Sequence, residues 1–322
     1  MSGAVTNRVS RDLRDGGTWT RAQALKNGVI ARVVRVALAL LVPLPRELLR
    51  ALGRLVGRVA FVALPAERAT AMANVSRAFP GMGAHARRAL VRRAYRTLGE
   101  HLGDAVASLD PGYPLEPLPI DAASLALLTR ASSGVVFVSA HLGPWERVAQ
   151  SLVHRGVALT VLARETYDPR LSHVYDRLRA SRGVRAIYRG HAGSATRILR
   201  TLRAGGVLGI PMDLRSRVPS ILAPFLGHPA PTPVGPARIA LRTRAAVVVG
   251  TAAPRENAGE SASELRISCT EIRTDDLAAD DEGERLLTER INAEISARIL
   301  ALPNEWLWMH NRFEDSNPVD SV

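Results

Sequence analysis

A histidine and a carboxylate that could act together lie five positions apart in the run His141–Glu146. On one continuous α-helix, two side chains with this separation would point about 140° apart. The Gly143-Pro144 pair argues against such a helix, because it separates an apolar, strand-like run at 135–140 from a helical pattern that follows. The residues therefore predict His141 at the carboxyl end of a strand. They place Glu146 in the first turn of the next helix, where backbone N–H groups have no intrahelical acceptor.

His141 and Glu146 fit a general-base pair. Glu146 would hold one imidazole nitrogen, and the other nitrogen would take a proton from a hydroxyl group. The sequence has no Gly-x-Ser-x-Gly turn to supply a serine nucleophile, so direct attack by a substrate hydroxyl on an activated acyl group is favoured. One His and one Glu do not make a metal site, and no metal is expected. Because the spacing alone is weak, an ordinary strand-end histidine beside a helix-starting glutamate stays open as an alternative.

Strands and helices alternate from residue 134 onward. The strand candidates are 135–140, 158–163, 184–188, 207–212, 245–251 and 264–270. The helix candidates are 145–154, 168–182, 192–204, 234–243 and 282–301, with an earlier one at 83–108. The pattern predicts a single α/β domain with a largely parallel sheet flanked by helices. Ligands bind beyond the carboxyl ends of such strands. Arg164 and Asp213 follow two of them, as His141 does, so the three are expected to share one site.

The segment 28–110 is predicted to be helical and membrane-associated. Its uncharged stretch, Val36–Pro45, is about half as long as a spanning helix requires. The helix that follows carries an arginine every four residues beside a broad apolar face, which suits a helix lying on an anionic membrane. These arginines are Arg46, Arg50, Arg54 and Arg58. A spanning helix with snorkelling arginines and a packing helix with solvated arginines remain alternatives.

The amino-acid composition limits the kinds of protein and partner that the chain fits. Apolar residues make up 47% of the 322 residues, enough for a sizeable core. The net charge is +13, and all but one of the 43 basic residues are arginine, so anionic partners are expected. Aromatic residues are only 4% and no nucleic-acid-binding motif is present, which argues against nucleic acid. The single cysteine excludes an intrachain disulfide.

The chain divides into four predicted segments. Residues 1–27 form a polar tail without the apolar core of a secretory signal, which favours the cytoplasmic side. The helical region 28–110 follows, then an α/β core at 111–315 and a short tail at 316–322.

Several blocks of residues, in order over about residues 28–315, resemble one known family. The blocks are Asn74–Pro80, Ser139–Glu146, Leu162–Arg164, Gly206–Asp213, Pro224–Gly227 with Pro229–Thr232 and Gly235–Ala237, and Asn304–Phe313. The chain resembles the bacterial lipid A biosynthesis acyltransferases, a branch of the glycerolipid acyltransferase superfamily. That branch includes the lauroyl and myristoyl transferases and the related mycobacterial phosphatidylinositol mannoside acyltransferases. The chain departs from the family pattern at Leu214–Arg217, Leu226 and Asn311, the first two where substrate would bind.

The resemblance implies transfer of an acyl group from a thioester to a hydroxyl of a membrane lipid, such as a lipid A precursor. The donor would be acyl carrier protein or coenzyme A, with no cofactor, at the cytoplasmic face of a bacterial inner membrane. His141 would be the base and Glu146 its partner, with backbone N–H groups of the turn 143–146 facing the oxyanion. Arg164 would bind a phosphate or assist the oxyanion. Asp213 would orient a substrate hydroxyl or pair with Arg164.

Three further residues fall in blocks that would contact substrate. Phe225 and Gly227 would shape a loop near the acyl pocket, and Thr232 lies in the block that follows. Simple turn packing is an equal alternative for the first two. Two other functions stay open: a non-catalytic protein that binds anionic lipid, and a thioesterase that uses the same residues on water.

Overall fold

A computed structural model of the chain describes residues 18–114, 116–129, 133–164, 168–254 and 265–313, which form ten helices and eight strands. The helices are α1 (Arg21–Leu41), α2 (Arg46–Ala63), α3 (Pro65–Ala78), α4 (Ala84–Ala107), α5 (Ala122–Thr129), α6 (Trp145–His154), α7 (Pro169–Ala180), α8 (Ser194–Arg203), α9 (Gly235–Thr243) and α10 (Asp281–Ala301). The strands are β1 (Val135–Ser139), β2 (Leu159–Ala163), β3 (Arg185–Tyr188), β4 (Val207–Pro211), β5 (Ser220–Phe225), β6 (His228–Pro233), β7 (Ala246–Pro254) and β8 (Leu265–Ile272).

The central sheet has six strands in the order β3-β2-β4-β1-β7-β8. All neighbours run parallel except β7 and β8, which are antiparallel. The predicted α/β domain with a largely parallel sheet is therefore confirmed. All six predicted strands are present, and their ends differ from the predicted ones by a few residues. The central strand β1 is apolar and buried over Val135–Val138, as expected for a strand covered on both faces.

A two-stranded hairpin, β5–β6, was missed by the sequence analysis. Its strands contain four prolines, which cannot donate to a sheet ladder and obscured the strand pattern. Leu226 and Gly227 form the turn, and both have positive φ, at 49° and 79°. Two such residues match the twist of the flanking strands. The backbone N–H of Leu226 donates to Ser296 Oγ at 3.0 Å, which attaches the turn to α10.

The helical region begins with α1 at Arg21, before the predicted boundary at residue 28. Helices α2 and α4 then cross with their backbones in contact. A Cβ atom on Gly53 would lie 2.0 Å from the carbonyl oxygen of Gly99, and one on Gly57 would lie 2.2 Å from that of Tyr95. Only glycine fits at these positions, so the pair of small residues on α2 sets the distance between the two helices.

Three of the four stripe arginines of α2 turn toward α4, whereas the sequence had indicated a stripe facing a membrane surface. Arg46 pairs with Asp104 at 2.7 Å, and Arg50 and Arg54 both pair with Glu100 on the same helix, α4. The stripe turns toward α4 because the glycines that allow close packing lie beside it on α2. Of the four stripe arginines, Arg58 is exposed.

Helices α1 and α2 present apolar side chains to solvent instead. The exposed residues recur at helical spacing as Leu25, Val29, Val33, Val36 and Leu40 on α1, and as Leu48, Leu55, Val59 and Val62 on α2. We call this surface the apolar N-terminal face. Such a concentration of exposed aliphatic side chains marks an interaction surface. Among the described helices, none is both long and apolar enough to cross a membrane.

Candidate functional site

Two chain segments meet beyond the carboxyl edge of the sheet. Strands β1 and β4 are neighbours, and Ser139 is the register partner of Pro211. The backbone N–H of Met212 continues the ladder by donating to the Ser139 carbonyl at 3.0 Å. His141 and Asp213 each come two residues after this last partnered pair, so the sheet register brings their side chains together.

Asp213 is fully buried and accepts three hydrogen bonds. Its Oδ1 lies 2.9 Å from Nδ1 of His141, and its Oδ2 accepts from the backbone N–H of His141 at 2.9 Å. The indole N–H of Trp306 donates to the same Oδ2 at 2.8 Å. Because an ionised carboxylate can only accept, Nδ1 of His141 must donate its N–H to Asp213. In the neutral ring Nε2 then carries the lone pair. The His141 side chain remains 24% exposed, so a substrate can reach it.

The charges of His141 and Asp213 stabilise each other. Burial lowers the pKa of His141, but the charge and hydrogen bond of Asp213 outweigh it, with a smaller effect of Glu146, and the pKa is raised above 6.5. Burial raises the pKa of Asp213, but the charge and the hydrogen bonds of His141, together with Trp306, hold that pKa below 3.8. The site therefore favours imidazolium beside carboxylate, the charge state that a base reaches after it accepts a proton.

Glu146 lies in the first turn of α6, as predicted. Its carboxylate accepts from Arg179 of α7 at 3.2 Å, whereas the ring of His141 is held by Asp213. Glu146 acts on the histidine through its charge. The ring of Trp145 stands edge-on to that of His141, with centroids 5.1 Å apart, and limits its rotation.

The turn between β1 and α6 is anchored by the C-terminal segment. Gly143 has a φ of 66° and donates its N–H to the carbonyl of Glu305 at 2.9 Å. The Glu305 carboxylate lies 2.6 Å from Nε2 of His101 on α4, which connects the turn to the helical region. The N–H of Gly143 donates to Glu305, Pro144 has no N–H, and the N–H of Trp145 donates to the Gly143 carbonyl at 3.0 Å. The N–H of Glu146 is therefore the candidate oxyanion donor of this turn.

Arg164 follows β2, at the same edge of the sheet. It lines a cavity of about 220 Å³ together with Ser172, Tyr175, Arg179 and Tyr188. Arg179 joins this cavity to Glu146, so a polar, cationic pocket opens beside the His141 turn. A pairing of Asp213 with Arg164 was one expectation, but the partners that hold Asp213 are His141 and Trp306.

The other predicted substrate-binding residues all belong to the hairpin β5–β6. Phe225 is buried, with its ring centroid 4.3 Å from the guanidinium carbon of Arg312. Gly227 is in the hairpin turn. Thr232 is fully buried, and its hydroxyl accepts from Arg312 at 2.8 Å and from Asn292 at 3.0 Å. Of the three, Phe225 packs against Trp306, with ring centroids 5.7 Å apart. The contact of all three residues with substrate stays a prediction.

The hydrogen bonds of Asp213 with His141 and Trp306 were not predicted from the sequence. Trp306 entered the sequence analysis only as part of the block Asn304–Phe313. The sequence did carry one signal for the contact of His141 with Asp213: His141, Arg164 and Asp213 each follow a predicted strand. That signal indicated a shared site but did not give the order of the strands. No group of three or more His, Cys, Asp or Glu residues in the described ranges is arranged to hold a metal ion.

All the site residues described above fall within the match to one protein family. A family model described as bacterial lipid A biosynthesis acyltransferase matches residues 20–315. This range includes the turn at His141, the strand that carries Asp213 and the segment that carries Trp306. No curated protein is significantly similar to the chain.

Proposed function

The chain belongs to the bacterial lipid A biosynthesis acyltransferase family, and on this premise we propose that it transfers a fatty acyl group from a thioester to a hydroxyl of a membrane lipid, with His141 as general base. The observation that carries the proposal is the hydrogen bond between Nδ1 of His141 and the buried carboxylate of Asp213. It orients the ring and leaves Nε2 as the basic nitrogen in a partly exposed position.

The reaction proceeds in two steps at Nε2. First, Nε2 takes the proton of the acceptor hydroxyl while the oxygen attacks the thioester carbonyl carbon, forming a tetrahedral oxyanion. Asp213 stabilises the imidazolium formed in this step. Then the carbon–sulfur bond breaks, the oxyanion returns to a carbonyl, and Nε2–H protonates the departing thiolate. The products are an ester and a thiol, and His141 is again neutral.

The neighbouring groups assist the charges that develop. The N–H of Glu146 lies in the first turn of α6, at the positive end of the helix, and would donate to the oxyanion. The Glu146 carboxylate, held by Arg179, adds negative charge near the imidazolium. The pocket of Arg164, Arg179 and the two tyrosines suits the phosphate of a thioester donor, whether acyl carrier protein or coenzyme A.

The apolar N-terminal face supports the membrane part of the proposal. Its aliphatic stripes occupy two consecutive helices, which would bury them in the boundary region of a bilayer. We place the protein at the cytoplasmic face of a bacterial inner membrane, where a lipid A precursor would present its hydroxyl to the site.

A single assay tests the activity. The protein is incubated with acyl thioester and lipid extract, and thiol release and acylated lipid are measured. We expect thiol release to depend on the lipid and to be abolished in His141→Ala. The exposed His85 of α4 provides the matched control, His85→Ala, which should keep wild-type activity.

The same assay separates the alternatives. Thiol release that needs no lipid acceptor would indicate a thioesterase. Vesicle binding without thiol release would indicate a non-catalytic lipid-binding protein. Normal lipid acylation by His141→Ala would contradict the proposed mechanism.

A further inference from the structure

A group of arginines gathers where α2, α4 and the start of α6 meet. We call it the α2–α6 arginine cluster, and its members are Arg46, Arg50, Arg54 and Arg147. Their carboxylate partners are Glu100 and Asp104 of α4. Four guanidinium groups thus share two carboxylates, which leaves positive charge in excess at a partly buried place.

The carboxylate of Asp104 is already occupied by one arginine. Arg46 binds it through two hydrogen bonds, from Nε at 2.7 Å and from Nη2 at 3.1 Å. Arg50 and Arg147 also approach Asp104, but only to 3.8 Å and 3.6 Å, which is too far for hydrogen bonds. Arg50 pairs through Nη2 with Glu100, and Arg147 donates from Nη2 to the Glu116 carbonyl at 3.0 Å. Neither of these contacts uses the Nε–H group of the arginine.

Two hydrogen-bond donors in the cluster have no acceptor. The Nε–H groups of Arg50 and Arg147 are buried and unpartnered among the residues that the structure describes. Buried donors of this kind are rare, because each costs about 1–3 kcal/mol when unsatisfied. Burial and then the positive charges of Arg46 and Arg50 lower the pKa of Arg147, an effect that Asp104 only partly offsets. An anion bound here would accept hydrogen bonds from the unpartnered Nε–H groups and would offset the excess positive charge.

The cluster is accessible and lies between two parts of the proposed site. The side chains of Arg50 and Arg54 are 35% and 32% exposed. Arg147 is next to Glu146 in the helix that follows the His141 turn. On the other side, α2 carries the apolar N-terminal face, and Leu102 of α4 adds an aliphatic side chain that is 57% exposed.

We propose that the α2–α6 arginine cluster binds a phosphoryl group, with Arg50 and Arg147 as its principal donors. Arginine forks match the oxygens of a phosphate in geometry and charge. The position beside the apolar N-terminal face favours the phosphate of a lipid headgroup whose chains lie along α2. This inference rests on the proposed function for the role of the lipid as acceptor, but the binding itself requires no catalysis.

Calorimetric titration tests the proposal with three probes in phosphate-free buffer at fixed ionic strength. The probes are dihexanoyl phosphatidic acid, inorganic phosphate and dihexanoyl phosphatidylcholine, which carries no net charge. The variants are Arg50→Gln and Arg147→Gln. The matched control is Arg58→Gln, because Arg58 belongs to the same helical stripe but is exposed outside the cluster.

We expect each cluster variant to weaken binding of phosphatidic acid roughly tenfold or more, the value of one charged hydrogen bond. Arg58→Gln should bind as the wild type does. Tenfold tighter binding of phosphatidic acid than of inorganic phosphate would identify a lipid headgroup as the ligand. Equal binding of the two would identify a free phosphate at the same site.

Two results would overturn the proposal: no binding of either phosphate by the wild type, or equal behaviour of all three variants. Denaturant unfolding without phosphate checks that each variant folds, and Arg54→Gln replaces any that does not. His141→Ala separates this inference from the proposed function, since it should bind phosphatidic acid normally. If the wild type binds the probe but transfers no acyl group, the proposed function fails while the phosphoryl site stands.

Discussion

His141 and Asp213 occupy equivalent positions on two adjacent parallel strands, each two residues beyond the register pair Ser139 and Pro211. Their distance is therefore set by the hydrogen-bond ladder of the central sheet and by buried Val and Leu side chains. A slip of one residue between β1 and β4 would turn one of the two side chains to the other face. The rigidity of the base comes from the most buried part of the fold.

The activity of the wild-type enzyme should decrease as the pH falls below neutrality. His141 must be neutral to accept a proton, and its pKa is raised above 6.5 because Asp213 outweighs the effect of burial. We expect kcat/KM to rise with pH and to reach half its plateau above pH 6.5. Measurement of initial rates across the pH range tests this. A midpoint below 6.5 would contradict the charge state described for the pair.

Asp213→Asn should lower kcat/KM by about 10²–10⁴-fold, the usual contribution of a positioned general base. The amide removes the negative charge and no longer selects the Nδ1–H tautomer. Since burial of His141 then acts unopposed by Asp213, its pKa falls, and the acid limb should move to lower pH. Asp275→Asn, which breaks an exposed pair with Arg273, is the charge-matched control. An unchanged acid limb would show that Asp213 acts on stability alone.

Glu146→Gln should cost less than Asp213→Asn. Glu146 influences His141 through charge, and its ion pair with Arg179 is partly exposed, so we expect an effect of about 1 kcal/mol, or up to tenfold in rate. The rates of both single variants and the double variant give the coupling between the two carboxylates. A larger loss for Glu146→Gln than for Asp213→Asn would favour the His141–Glu146 dyad that the sequence analysis predicted.

Leu40→Asp should weaken binding to lipid vesicles by about tenfold or more, because burial of a leucine contributes about 1.5–3 kcal/mol. Leu40 is 68% exposed on α1. Leu222 of β5 is 63% exposed and lies outside the apolar N-terminal face, so Leu222→Asp is the control for added charge. Co-sedimentation with vesicles measures the effect. Equal loss in both variants would argue against this face as the membrane contact.

Gly53→Ala should destabilise the protein by about 1–3 kcal/mol, the cost of an added methyl group in a tightly packed place. The new Cβ would lie 2.0 Å from the Gly99 carbonyl, although alanine by itself favours a helix. Gly81→Ala adds a methyl group with no atom within 4 Å and should be nearly neutral. Denaturant midpoints at equal slope provide the comparison. Equal midpoints would mean that α2 and α4 adjust their distance freely.

The sequence was sufficient to predict the six strands of the central sheet, most of the helices and the position of His141 at a strand end. Each of these depends on local patterns: apolar runs, Gly-Pro breaks and helical periodicity. The hairpin β5–β6 was missed because its four prolines resemble a loop. Arginines at four-residue spacing identified a helical stripe on α2 but not its direction, since the acidic partners lie on a different helix.

The partner of His141 could not be predicted in the same way. Asp213 is 72 residues away in sequence, and it meets the histidine only because β4 inserts between β1 and β2. Strand order depends on how whole crossover units pack, which short-range patterns do not encode. The His-x4-Glu spacing across the Gly143-Pro144 turn predicted Glu146 as the partner, whereas in the structure the Glu146 carboxylate accepts a hydrogen bond from Arg179.

The C-terminal segment holds two distant parts of the chain at once. Trp306 donates to Asp213, and Asn74 of α3 donates to the carbonyls of Trp308 and His310 at 2.8 and 2.9 Å. During synthesis from the N-terminus, His141 and Asp213 leave the ribosome well before Trp306 does. The base is therefore locked in place only when this last stretch docks, so a chain still being translated is folded in part but is not yet a competent catalyst.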